Sequence, residues 1–234
     1  MQIVILCGGL ATRLGNITKN IPKSMIEIKN KPFLEYQIVN LKKNKIKDIV
    51  LCVGHLSEPI KKYFGNGEKF GVNIKYSHDG EKQLGPIGAL KNAEHFVDDT
   101  FFILYGDSYL NLDYQKMYSY FKNQNKLGLM AVYKNFNRFD KSNIIVKNNM
   151  IVAYGEKERT KDMIYIDYGT SLLNKKALNL IPKNTFFTTG EFFTNLILKN
   201  ELLAFEIKER FYHIGNPDAL EEFKNYIETQ WKYW

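Results

Sequence analysis

Leu6-Cys7-Gly8-Gly9-Leu10-Ala11-Thr12-Arg13-Leu14, entered from the apolar run Ile3 to Leu6, is the stretch on which the fold turns. A short apolar strand running into two glycines is how a parallel sheet passes the chain to its first crossover. Glycine lets the backbone bend sharply there and leaves N–H groups uncovered for an anion, above all a phosphate. The third glycine of the dinucleotide fingerprint and the Gly-Lys-Ser/Thr of the P-loop are both missing, and Arg13 stands inside the turn. Gly8-Gly9 alone leaves an ordinary glycine turn as a competing reading. Arg13 adds a planar fork for two phosphate oxygens, and Lys23, held after Pro22, adds a point charge. Two cations beside a row of backbone donors match a triphosphate.

Outward from this turn, short apolar strands alternate with amphipathic helices, the pattern of a largely parallel sheet covered on both faces. Strands are expected at Asp48 to Val53, Val72 to Tyr76 and Thr100 to Tyr105, with helices at Pro32 to Lys43, Glu58 to Phe64 and Leu90 to Phe96. The later half reads as strands near Leu127 to Tyr133, Ile144 to Lys147, Met150 to Tyr154 and Asp167 to Leu173. Asn148-Asn149 marks a tight hairpin. Helices are expected at Lys175 to Leu180, Gly190 to Lys199 and Pro217 to Trp231. Without repeat, linker or low-complexity tract, residues 1–234 read as one domain, about 1–110 facing the nucleotide and about 111–234 facing an acceptor.

A chain of 234 residues that is 44% hydrophobic can bury a large core. The net charge of +8 comes mostly from scattered lysines, with arginine only at positions 13, 138, 159 and 210. That is a solvated surface which steers anions, not an arginine-rich nucleic-acid face. Cys7 and Cys52 lie in apolar runs without metal or redox spacing and read as small buried hydrophobes. No stretch is apolar and long enough to span a bilayer, and the first residues lack a signal peptide's pattern, so a cytoplasmic protein is expected. A homo-oligomer is compatible with the sequence, which does not specify one.

Leu6 to Leu14, then Pro22-Lys23-Ser24-Met25 and Lys31-Pro32-Phe33-Leu34, resemble the signature of the sugar-1-phosphate nucleotidyltransferases and related cytidylyltransferases. The likeness continues through Leu84-Gly85-Pro86-Ile87-Gly88-Ala89-Leu90, Tyr105-Gly106-Asp107, Glu156-Lys157, Tyr168-Gly169 and Ile214-Gly215-Asn216-Pro217, in the family's order along nearly the whole chain. It implies an α/β, Rossmann-like nucleotidyltransferase fold with a mixed, mostly parallel sheet flanked by helices. It also implies attack by an acceptor's phosphate on the α-phosphorus of a nucleoside triphosphate. By the same resemblance Leu6, Gly8, Gly9, Leu10, Ala11 and Thr12 would bind the nucleotide, with Arg13, Lys23 and Lys157 the catalytic cations. Gln83, Gly85 and Gly88 would lie at the base and ribose, and Asp107 would carry Mg2+. Tyr168, Gly169, Asp167 and Glu191 would line the acceptor pocket.

Each of these residues also has a plainer reading. Asp107 after a strand suits a turn or helix cap, Gln83 a solvated loop, and Glu191 after Thr188-Thr189-Gly190 the first turn of a helix. The clearest departure from the family is His213, where an aspartate usually completes the metal site. Imidazole is a poor ligand for Mg2+, so His213 could contact phosphate, bind a softer metal, or simply pack near the turn. The resemblance implies CTP as donor and L-glutamine phosphate as acceptor, giving CDP-L-glutamine for capsular polysaccharide modification. A sugar 1-phosphate with GTP, UTP or CTP is the first alternative, and a nucleotide-binding regulator without turnover is the second.

Overall fold

The computed structural model describes residues 1–8, 21–54, 56–80, 83–155 and 159–230. The first half contains β1 (Gln2–Leu6), β2 (Glu27–Ile28), β3 (Lys31–Pro32), α1 (Phe33–Lys43), β4 (Asp48–Val53), α2 (Glu58–Phe64), β5 (Asn73–His78), α3 (Gly85–Asn92) and β6 (Thr100–Tyr105). The second half runs β7 (Ser108–Tyr109), α4 (Tyr114–Lys122), β8 (Gly128–Lys134), β9 (Ile144–Lys147), β10 (Met150–Tyr154), β11 (Tyr165–Asn174), α5 (Thr189–Leu198), β12 (Leu202–Ile207), β13 (Tyr212–His213) and α6 (Pro217–Gln230). One nine-stranded sheet, ordered β5-β4-β1-β6-β11-β8-β12-β10-β9, runs through the molecule.

The sheet is parallel from β5 to β6 and mixed beyond it. There β11 pairs antiparallel with both β6 and β8, while β12 returns parallel to β8. Side chains alternate across the pleat. Ile3, Ile5, Ile49, Leu51 and Phe102 face α1, α2 and α4 on one side. Val4, Val50, Cys52, Phe101 and Ile103 face α3 and α5 on the other. Period-two burial on both faces is what the continuous apolar runs require. Asn148 and Asn149 take φ values of 50° and 59°, the left-handed pair that a two-residue hairpin needs. Both cysteines are buried free thiols, as their runs suggest.

Besides the two-residue strands, two longer elements were not expected. The helix α4 carries Tyr114, Met117 and Phe121 inward, and the Asp113 side chain caps it by accepting the Lys116 N–H at 2.9 Å. The strand β12 sits between β8 and β10. The expected helix at Leu90 to Phe96 instead begins at Gly85 and tightens to a 3-10 turn at Glu94–Phe96.

A satellite core ties the chain's end to the site. Phe223 of α6 is fully buried, with its ring edge-on to Phe33 at 5.0 Å and 5.1 Å from Tyr109. That packing pins β13 against β7, pairing His213 with Ser108. Among the described residues no helix is long and apolar enough to cross a membrane.

Candidate active site at the C-terminal ends of the parallel strands

In the order β5-β4-β1-β6 the chain builds outward from β1 through β4 to β5, then returns to place β6 on the other side of β1. The crevice beyond the C-terminal ends of such strands is where open α/β sheets bind ligands. A cleft of about 730 Å³ opens there, with Leu6, Gly8 and Asp107 on its floor. Lys23, Gln83 and Gly85 line it from the first half of the chain, and Asp167, Gly169 and His213 from the second.

Asp107 is held from two sides. The buried amide of Gln37, on α1, donates to the carbonyls of Tyr105 at 3.0 Å and Ser108 at 2.7 Å. Asn40, one helical turn on, donates to the Leu110 carbonyl at 2.7 Å. From the other side the Ile214 N–H donates to the Asp107 carbonyl at 2.9 Å. The bend bearing the carboxylate is therefore stitched to a helix and to the C-terminal segment. Lys23 begins the 3-10 turn Lys23–Met25, and its ammonium meets Asp107 Oδ2 at 2.7 Å. Lys23 of the Pro22-Lys23 motif and the strand-end carboxylate of Asp107 thus meet although 84 residues apart in sequence.

The opposite wall comes from β11. The carboxylate of Asp167 accepts the Tyr105 hydroxyl at 2.6 Å, the Tyr154 hydroxyl at 3.4 Å and the Gly169 N–H at 2.9 Å. Burial outweighs these donors and pushes its carboxyl up to about 6. The unfolded chain releases that proton near the ordinary aspartate value of about 4. The folded protein therefore holds it over a window of roughly pH 4 to 6, and the contribution of Asp167 to stability falls as pH rises through that window. Asp167→Asn cannot titrate, so its stability relative to wild type should improve between about pH 4 and pH 7. Urea midpoints at the two pH values measure this, and a gap that does not move rejects the raised value.

Several expected site residues are placed differently. Gly88 is not among the described residues lining the cleft, and a Cβ there would stand 2.6 Å from the Thr185 carbonyl oxygen, so its missing side chain allows close packing of α3. Glu191 is not among the described residues lining the cleft. It forms a reciprocal cap with Thr188, accepting the Thr188 N–H at 2.8 Å while its own N–H reaches Thr188 Oγ1 at 3.2 Å. The Tyr168 hydroxyl turns into the core toward the carbonyls of Asn111 at 3.3 Å and Arg210 at 3.4 Å, so it offers no hydroxyl to an acceptor. Gly85 keeps its place on the cleft with φ 71°, and a Cβ there would strike the Phe187 carbonyl at 2.8 Å. Gly9, Leu10, Ala11, Thr12, Arg13 and Lys157 lie outside the described residues.

The ring of His213 is held by a backbone contact. Its Nδ1 accepts the Gly215 N–H at 3.0 Å, which assigns the ring proton of the neutral imidazole to Nε2. Burial lowers its pKa, favouring that neutral form. It therefore presents an N–H donor suited to a phosphate or hydroxyl oxygen. Among the described residues no three His, Cys, Asp or Glu side chains cluster to hold a metal. Mg2+ nonetheless fits Asp107, because this ion commonly takes one or two carboxylates and completes its shell with water and substrate phosphates.

The family model described as Nucleotidyl transferase matches residues 2–230. The chain belongs to the nucleotidyl transferase family. Over 224 residues this nucleotidyltransferase is 36% identical to the D-glycero-alpha-D-manno-heptose 1-phosphate guanylyltransferase of Campylobacter jejuni subsp. jejuni serotype O:2, covering 95% of this chain and 98% of that protein. The enzyme of the same name from Aneurinibacillus thermoaerophilus is 31% identical over 236 residues, 97% of this chain and 100% of that one. The crystal structure of HddC from Yersinia pseudotuberculosis complexed with GMP-PN superposes with a TM-score of 0.81 at 26% identity, covering 97% of this chain and 99% of that one.

The motif reading passed over four cleft or cleft-supporting residues: Gln37, Asp79, Tyr105 and Tyr154. Only Asp79 carried a usable signal. Like Asp107, it directly or closely follows a parallel strand, whereas Gln37 and Tyr105 act through partners far away in sequence and Tyr154 through Asp167, 13 residues on.

Proposed function

We propose that this nucleotidyltransferase transfers a guanylyl group from GTP to the phosphate of a sugar 1-phosphate, of the heptose or hexose class. An acceptor phosphate oxygen forms a bond to the α-phosphorus, the bond from that phosphorus to the β-phosphate bridging oxygen breaks, and pyrophosphate leaves with the electron pair. The acceptor is already ionised at neutral pH, so the protein's task is to align two anions and offset their charge. The observation that carries this reading is the Lys23–Asp107 pair at the floor of a cleft walled by both halves of the sheet. Lys23 would swing from Asp107 onto the phosphates, and His213 would donate from Nε2 to an oxygen of either substrate. Mg2+, held by Asp107, would supply charge neutralisation on the triphosphate. Arg13 and Lys157 enter on the strength of their sequence motifs.

The choice of GTP and a sugar 1-phosphate is supported by end-to-end similarity to two heptose 1-phosphate guanylyltransferases. CTP with L-glutamine phosphate, the pair expected from the sequence, is the second reading, and the departure at His213 from the sugar-specific pattern is what keeps an acceptor other than a sugar open. Pyrophosphate release from GTP, CTP and UTP, each against a heptose 1-phosphate, mannose 1-phosphate and L-glutamine phosphate, separates the two. GTP with a sugar phosphate should be the fastest pair. Release confined to CTP and L-glutamine phosphate would replace the proposal with the second reading, and tight triphosphate binding without release in any pair would make the protein a regulator.

A further inference from the structure

Asp79 has no part in the chemistry above, yet it stands in the cleft. It directly follows β5, at the same edge of the sheet as Gly8 and Asp107, and shares the nucleotide side of the cleft with Gln83 and Gly85. Its Oδ1 is buried and has no hydrogen-bond partner among the described residues. Its Oδ2 lies 3.4 Å from where a Cβ on Gly8 would stand, so the carboxylate backs onto the phosphate turn. Burial pushes its carboxyl up to about 6, which leaves it ionised at neutral pH. An acceptor buried without a donor is unfavourable, and the side chain that carries it lines the cleft.

We infer that Asp79 is the base-reading residue, its two carboxylate oxygens accepting the N1–H and the exocyclic N2–H of guanine. The inference rests on the GTP reading and names the group that enforces it. An ionised carboxylate has only lone pairs to offer. Guanine sets two donors side by side on its Watson–Crick edge. Cytosine and adenine set one amino donor beside a ring-nitrogen acceptor, and uracil sets one donor between two carbonyl oxygens. Each of those three turns at least one lone pair toward the carboxylate, so the same group that binds guanine repels the others. Gln83 is exposed on the same side of the cleft, and its amide can both donate and accept, so it does not discriminate in this way.

Asp79→Asn keeps the shape and replaces one acceptor oxygen with an NH2 donor. It should lower kcat/KM for GTP by roughly 10- to 100-fold, the range for one bidentate base contact. Xanthosine triphosphate carries a carbonyl oxygen where guanosine triphosphate carries the 2-amino group. The variant should therefore use it better than GTP, while wild type prefers GTP. That gain is a readout a merely structural role would not produce. Asp79→Ala, measured alongside, should flatten the preference among GTP, CTP and UTP. The assignment is overturned if both variants keep the wild-type GTP-to-CTP ratio, or if both lose rate equally with every triphosphate. Wild-type enzyme that uses CTP or UTP but not GTP overturns the donor reading itself, and this inference with it, before any variant is made.

Discussion

Lys23→Ala is expected to lower kcat by about 10² to 10³, the loss that follows removal of one preorganised charge from a site where charge develops. The ammonium lies 2.7 Å from Asp107 Oδ2, with its side chain 19% exposed and its partner's 31%. A pair this open to the cleft contributes about 1 kcal/mol or less to folding, so the variant should remain folded. Its loss harms catalysis twice. The phosphates forfeit a cation, and the Asp107 carboxylate is left facing them without its counter-charge. Rates of pyrophosphate release, set against an unchanged urea midpoint, distinguish a catalytic loss from unfolding. Near-normal turnover in a folded Lys23→Ala protein would remove the lysine from the phosphate site. The motif at the opening turn leads to a loss of similar size for Arg13→Ala.

Asp107→Asn should be nearly as damaging, lowering turnover by about 10² or more, for a different electrostatic reason. The amide keeps the side chain's shape, and the turn itself is held by Gln37, Asn40 and the Ile214 N–H, so the backbone should stay in place. What disappears is the negative charge that suits a hard cation beside the triphosphate. The Mg2+ concentration giving half-maximal rate should rise, since His213 presents an N–H and not a lone pair at Nε2. Titrating Mg2+ against the rate for wild type and variant measures this. An Asn variant with the wild-type Mg2+ dependence would move the metal away from Asp107.

Much of the frame was legible before any coordinates. The expected strands at Asp48 to Val53 and Met150 to Tyr154 and the helix at Glu58 to Phe64 have the bounds found in the structure. Two elements escaped despite readable signals. The helix α4 shows inward residues at positions 114, 117 and 121 behind an aspartate cap. The strand β12, Leu-Leu-Ala-Phe-Glu-Ile, starts two residues after Asn200, whose left-handed φ of 56° closes the preceding helix. Its burial does not alternate cleanly, so periodicity alone does not mark it as a strand.

Individual side chains were harder to place than elements. Gly88 and Gly85 are equally plausible neighbours of a planar base on paper. A Cβ on either would meet a backbone carbonyl, of Thr185 or Phe187, and of the two only Gly85 lines the cleft. Glu191 obeys the local rule for a helix's first turn, and local satisfaction prevailed over a role in the pocket. Tyr168 lies beside a register shift in the β11–β8 pairing, and its hydroxyl is directed to backbone carbonyls from two distant segments.

By itself the sequence determined the opening strand and glycine turn, the cationic motifs, the alternation that makes an α/β sheet, and the family. These are properties of local spacing and residue type, which act over a few positions along the chain. Only the tertiary structure decided that Lys23 meets Asp107, that β13 lays His213 beside them with its Nδ1 already occupied, and that Asp79, lining the cleft, keeps one carboxylate oxygen buried and unmet. The physical reason is that hydrogen-bond satisfaction and burial depend on partners brought together by sheet order and helix packing, often dozens of residues apart, and no local pattern encodes which lone pair will be left over.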